Sequence, residues 1–245
     1  MQYQRNLPPF EPITSIPSKI FNYSYGLLML ISLFLCLGIL FLLFYSFSFE
    51  SEIRVIYFLL ILVIIMQLFY FKRTRKHTTT IIDNRGIHFV NKFNDKVEKT
   101  ISWDSFAKIN EFKGKLKEIS ASDSDYLEYD VFAKMTRNGK YSREVLFGFA
   151  SINGEIEVYK EVFSGNHIFS MIYSNKLELA KGLLLALAHF RPDLKVHPKT
   201  FSLYYINPDN YTIEYEKRTE DINSAGFITA LVIIITVFVL LVVFF

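Results

Sequence analysis

The 245-residue chain has room for one large or two small domains, and 51% of its residues are hydrophobic. Its net charge of +3 is unevenly placed: residues 77–224 hold 20 Lys and Arg against 21 Asp and Glu, so the basic excess lies outside them, chiefly at 72–76. A near-neutral polar region lacks the bulk footprint of a nucleic-acid binder, and a lone Cys36 excludes an intrachain disulfide.

Met1 to Asn22 is polar and holds Pro8, Pro9, Pro12 and Pro17, which discourage regular structure, so residues 1–24 are expected to be a cytoplasmic tether. Three apolar runs follow the length rule for membrane spans: Tyr25–Phe47, Val55–Phe71 and Ala225–Phe245. Val55–Phe71 carries no charge, and at 1.5 Å per residue it reaches roughly 25 Å. It gives way at once to Lys72, Arg73, Arg75 and Lys76, a basic cluster of the kind that stays on the cytoplasmic side. The short link Ser48–Arg54 is acid-leaning, with Glu50 and Glu52. The expectation is a helix hairpin at 25–71 with its tip outside, in which Ser32, Cys36, Gly38 and Gln67 mark the helix–helix face.

Residues 72–222 are expected to form a cytoplasmic β-rich domain. Thr78–Asp83 and Ile87–Phe93 read as strands around the turn Asp83-Asn84-Arg85-Gly86, with Ile87, Phe89 and Asn91 on one face. Lys99–Trp103 reads as a third strand, and Asp104 as the start of a turn or helix. Further strands are expected over 111–117, Tyr126–Thr136, Tyr141–Phe149, Ile152–Phe163 and Ile168–Tyr173, with Asn138-Gly139 marking a hairpin. Asn175 to Phe190 reads as an amphipathic helix, capped by Asn175 and Glu178 and stopped by Pro192. Alternation in Thr200–Ile206 and Tyr211–Glu216 predicts a last hairpin. Residues 223–245 then form a C-terminal spanning helix that ends outside.

Ile82-Asp83-Asn84-Arg85-Gly86-Ile87, followed by Ile101-Ser102-Trp103 and Phe106-Ala107-Lys108-Ile109, resembles the bacterial pleckstrin-homology-like membrane proteins. The likeness covers about residues 25–190. It implies a two-helix hairpin before a small β-barrel-like domain closed by an amphipathic helix, with Trp103 as a packing residue.

No signature of a nucleotide-binding, hydrolase or kinase site is present. The five histidines have no metal-ligand spacing, and Asp123–Asp130 lacks the glycine and distal Glu of a calcium loop, so neither a metal nor a cofactor is expected. Lys113, Lys115 and Lys117 fall on one face at strand spacing. With Lys72, Arg73, Arg75 and Lys76 they are the candidate contacts to lipid headgroups or an acidic partner.

The expected protein is thus an α+β membrane protein of a bacterial inner membrane, N-terminus in and C-terminus out. Its leading function is non-catalytic binding or sensing of a protein partner, a toxin in the case of an immunity protein, or of lipid headgroups; self-association is a further expectation. The alternative is a ligand-gated effector whose barrel binds a nucleotide signal and whose helices then breach the membrane.

Overall fold

Apolar composition dictates the first two helices. The computed structural model describes residues 7–46, 51–73, 77–114, 121–138, 141–152, 154–167 and 170–218. Helix α1 runs Lys19–Ser46 and α2 runs Ser51–Arg73. Within α1, Lys19–Tyr45 is long and apolar enough to cross a membrane, whereas the apolar stretch Val55–Phe69 of α2 is shorter. The Gln67 amide of α2 donates to Ser32 Oγ of α1 at 2.9 Å, which places two of the expected contact residues at one helix–helix face. Gly38 is not a close-approach site, since a Cβ there meets nothing within 4 Å. The third expected span, 223–245, lies outside the described residues.

The supposed tether is part of the sheet domain. Ile13–Thr14 forms β1, paired antiparallel with β2 (Thr79–Ile82). Leu7, Phe10 and Ile13 bury enough apolar surface against the core to order this proline-rich segment. Strands β3 (Gly86–Asn91) and β4 (Lys96–Ser102) complete an antiparallel sheet in the order β1-β2-β3-β4. Gly86 has φ +152°, and a Cβ there falls 2.1 Å from the Ile101 carbonyl oxygen, so the β2–β3 turn admits only glycine. Ile87, Phe89 and Asn91 face inward as their alternation predicts. The third strand begins at Lys96, three residues before its expected start, because its register with Asn91 and Val90 continues past the turn.

The second sheet is built on β7 (Tyr141–Ile152). Leu146 and Phe147 pair with both β6 (Phe132–Asn138) and β8 (Glu155–Glu161), so those two strands take opposite edges of β7. Strand β5 (Phe106–Ala107) pairs with Phe149 and Ala150, also opposite β8, and therefore follows β6 along one edge. Both sheets are open, and among the described residues they do not close into the barrel expected from the resemblance.

Helix α3 (Lys176–Phe190) lies in the core. Leu177, Leu179, Ala180, Gly182 and the run Leu183–Leu187 are all buried, far more than one stripe of an amphipathic helix. Phe10 packs edge-on to Phe190, and Trp103 stacks on Phe190 and Phe106 at 5.7 and 5.8 Å. Trp103 Nε1 donates to the Asp83 carbonyl at 2.9 Å, so the tryptophan ties the β2–β3 turn to the core.

Five expected strands are absent or shortened among the described residues. Phe112 and Lys113 have no regular structure, and a 3-10 helix, Ala121–Glu128, precedes β6. The described part of 168–173 contributes one bridge, Tyr173 to Pro17. The last expected hairpin is replaced by α4 (Pro198–Leu203): Pro198 sits at its first turn and His197 Nδ1 accepts from the Lys199 N–H, which together favour a helix start. Only Ile206 and Ile213 form a bridge in that region, and 215–218 is a helical turn.

Candidate functional site at the junction of helices and domain

Where α1 begins, its first turn is bonded to the domain. Asn22 Nδ2 donates to the Ile172 carbonyl at 2.8 Å, and the Ile172 N–H donates back to Asn22 Oδ1 at 3.0 Å. Ser18 N–H also donates to the Ile172 carbonyl. Asn22 is 1% exposed, so the lost hydration of its amide is answered by two backbone groups. Just before it, Ile16 N–H donates to Asn175 Oδ1 at 2.7 Å, and Asn175 Nδ2 donates to the Thr14 carbonyl at 2.9 Å. Asn175 therefore makes no side-chain cap on α3, because the N-terminal segment competes for its amide.

Where α2 ends, the return is equally directional. His77 Nε2–H donates to the Ser164 carbonyl, and its ring packs edge-on to Phe89 at 5.1 Å. Burial lowers the His77 pKa, which favours the neutral ring. The Asn166 N–H donates to the His77 carbonyl at 3.0 Å. Thr78 Oγ1 accepts from the Lys92 N–H at 2.9 Å, and Ser15 Oγ accepts from the Thr80 N–H at 2.9 Å. Thr78, Thr79 and Thr80 are buried β-branched residues that suit a strand yet bring hydroxyls inside.

Behind the junction lies a second polar group. The Tyr173 hydroxyl donates to the Thr78 carbonyl at 3.3 Å, and burial pushes its pKa up to about 12. Deeper still, Glu161 is 4% exposed at the end of β8. The Tyr159 hydroxyl donates to its Oε2 at 2.8 Å and the Phe163 N–H to its Oε1 at 2.6 Å. Burial raises the Glu161 pKa against these donors and against the charge of Lys99. The Tyr204 hydroxyl is also fully buried and has no hydrogen-bond partner among the described residues. Burial pushes its pKa up, with Glu144 and Glu161 adding to the effect. A carboxyl and three tyrosines thus stand behind the strand to which α2 connects, linked to it through Tyr173.

Of the expected basic contacts, Lys72, Arg73 and Lys113 fall within the described residues. Lys72 and Arg73 close α2, while Arg75, Lys76, Lys115 and Lys117 lie outside the described residues. Lys113 is exposed and belongs to no strand, so the expected strand stripe has no support there. Lys108 pairs with Asp193 at 3.6 Å, and the Arg191 guanidinium holds the Asp193 carboxyl down at about 2. Among the described residues no group of three His, Cys, Asp or Glu is placed to hold a metal ion.

Three buried roles escape sequence reading. Asp130, expected in a solvated loop, accepts from Ile109 N–H and Lys195 N–H at 2.8 Å each and clasps three segments together. Glu161 shares a strand face with Tyr159 two residues earlier, the one local signal of its inward position. Asn22 carries no local signal at all, since its partner is 150 residues away. No family model, curated protein or solved structure matches the chain.

Proposed function

We propose that the chain is a membrane-anchored, non-catalytic binding or sensing module at the cytoplasmic face of a bacterial inner membrane. In this reading the hairpin 25–71 and the helix 223–245 span the bilayer, N-terminus in and C-terminus out, and 72–222 is a pleckstrin-homology-like domain between them. Its role is to recognise a protein partner, as a toxin-immunity protein does, or lipid headgroups.

The observation that carries this reading is the double attachment. Helix α1 is bonded to the domain at Asn22–Ile172, and His77, the first described residue after α2, is bonded to Ser164. A flexible tether needs no such bonds; a domain that must present one face to a partner does. The outward faces of the helices support the anchor: Phe34, Phe41, Phe58 and Phe69 are 66–68% exposed, a surface suited to lipid rather than water. The interior between sheets and α3 is occupied by Ile82, Ile87, Leu146, Leu183 and their neighbours, which favours surface binding over capture of a ligand inside the domain.

Alkaline carbonate extraction of membranes, followed by native mass spectrometry of the detergent-solubilised chain, tests both halves. The chain is expected to stay in the pellet and to emerge with a protein subunit or phospholipid bound. Release by carbonate contradicts the anchor. A chain that emerges bare and monomeric contradicts the binding role.

A further inference from the structure

We infer that the β3–β4 turn is a membrane wedge, with Phe93 entering the lipid interface beside the ends of α1 and α2. This rests on the reading of α1 as a membrane span. The depth of the domain follows from α1. Asn22 is bonded to Ile172, and the apolar run begins at Tyr25, about 4.5 Å further along the helix at 1.5 Å per residue. Ile172, 48% exposed, therefore stands at headgroup depth. The segment leading to Ile172 includes His167, whose ring lies 4.6 Å from that of Phe93.

The segment entering β2 brackets the same turn. Thr78, a few residues after Arg73, donates its N–H to the Val90 carbonyl and accepts from the Lys92 N–H. Phe93 comes next and is 70% exposed, as much as Phe44 within the apolar run of α1. Its backbone is set in advance, since Phe93 N–H donates to Asn91 Oδ1 and Asp95 adopts φ 50° to close the turn. A pre-ordered turn loses little freedom on insertion. Lys92 and Lys96 flank the ring and can lay their stems along the interface with their charges in the headgroups. Asp95 and Glu98 lie in the same stretch and nearly cancel that charge, so the apolar ring leads and the contact is insensitive to lipid charge.

The test uses the full chain in nanodiscs of zwitterionic lipid carrying a nitroxide near the headgroup. A fluorophore is placed at Phe93→Cys, or at Leu127→Cys as an exposed control, each in a Cys36→Ser background; folding is checked by Trp103 emission. A third sample is labelled at the native Cys36, about 16 Å along α1 from Tyr25, and is read in discs whose nitroxide sits midway along the acyl chain. Quenching at position 93 is expected to be several-fold stronger than at 127, and unchanged when anionic lipid replaces part of the disc. Equal quenching at 93 and 127 with strong quenching at Cys36 overturns the wedge and leaves the anchor standing. Absence of quenching at Cys36 overturns both. Protection of position 93 already present in detergent, and growing with protein concentration, assigns the turn to a second copy of the chain and overturns the lipid contact.

Discussion

The core around α3 and the junction at the helix ends are held by different physics. The core is a run of fully buried aliphatic residues, Leu183 to Leu187, closed by stacked Trp103, Phe106 and Phe190. Its stability follows area removed from water and close packing, which are nondirectional. The junction buries Asn22, Thr78, Thr79, Thr80 and Glu161, and Asn22, Thr78 and Glu161 hold their places through angle-dependent side-chain hydrogen bonds. Directional bonds fix orientation at a modest net gain, and they fail together when one partner is removed. A domain attached this way is aimed as well as anchored.

That contrast is open to breaking, starting in the core. Leu183→Ala leaves a cavity at a fully buried site and is expected to cost about 2–5 kcal/mol. Denaturant unfolding in detergent reads this through Trp103, the chain's one tryptophan. A cost below 1 kcal/mol would mean that α3 is not the packed centre. Asn22→Ala strands the Ile172 N–H, leaves the Ile172 carbonyl with the Ser18 N–H alone, and is expected to cost about 1–3 kcal/mol. Unlike the core change, it should loosen α1 from the domain first, seen as faster amide exchange at Ile172 with little change at Leu183.

Tyr204→Phe is the sharpest small contrast. It removes a buried hydroxyl without a partner among the described residues, so it is expected to be neutral or to stabilise by about 1 kcal/mol. Tyr173→Phe removes a hydroxyl that donates to Thr78 and should destabilise by about the same amount. Equal losses in both variants would show that Tyr204 has a partner in solution.

The smallest expected effect is pH dependence. Burial raises the Glu161 pKa, so the folded chain holds a proton that the unfolded chain releases above the ordinary 4.5. Stability from this group therefore falls as pH rises from 4.5 toward the raised value, and Glu161→Gln should remove that slope. His77 acts with the opposite sign: its lowered pKa means stability is lost as pH falls below 6.5, and His77→Gln should remove that loss. Unfolding midpoints of both variants between acid and neutral pH check the two signs; parallel curves for parent and variants would contradict them.

Local pattern made some of the fold legible. Alternation placed Ile87, Phe89 and Asn91 on one face, and helical spacing located α3 to within a residue. Gln67 and Ser32 were visible as polar residues in apolar runs and do meet. The rest depends on distant partners. Phe10 and Ile13 order a proline-rich segment because β2 and α3 are there to receive them. Asn175 looked like a cap and instead bonds Thr14 and Ile16. Thr200 to Ile206 alternated like a strand, yet His197 and Pro198 start a helix whose Thr200 Oγ1 accepts from Ala133 N–H. The candidate site was largely illegible for the same reason: Asn22–Ile172, His77–Ser164 and Tyr173–Thr78 join residues far apart in sequence, and only Tyr159, Glu161 and Phe163 are near neighbours.

The side of the membrane on which the domain lies tests the account most directly. A single cysteine at Leu127, in the full chain with Cys36→Ser, is treated with a membrane-impermeant maleimide in intact spheroplasts and after lysis. Labelling is expected only after lysis. Labelling in intact spheroplasts would put the domain outside and contradict it.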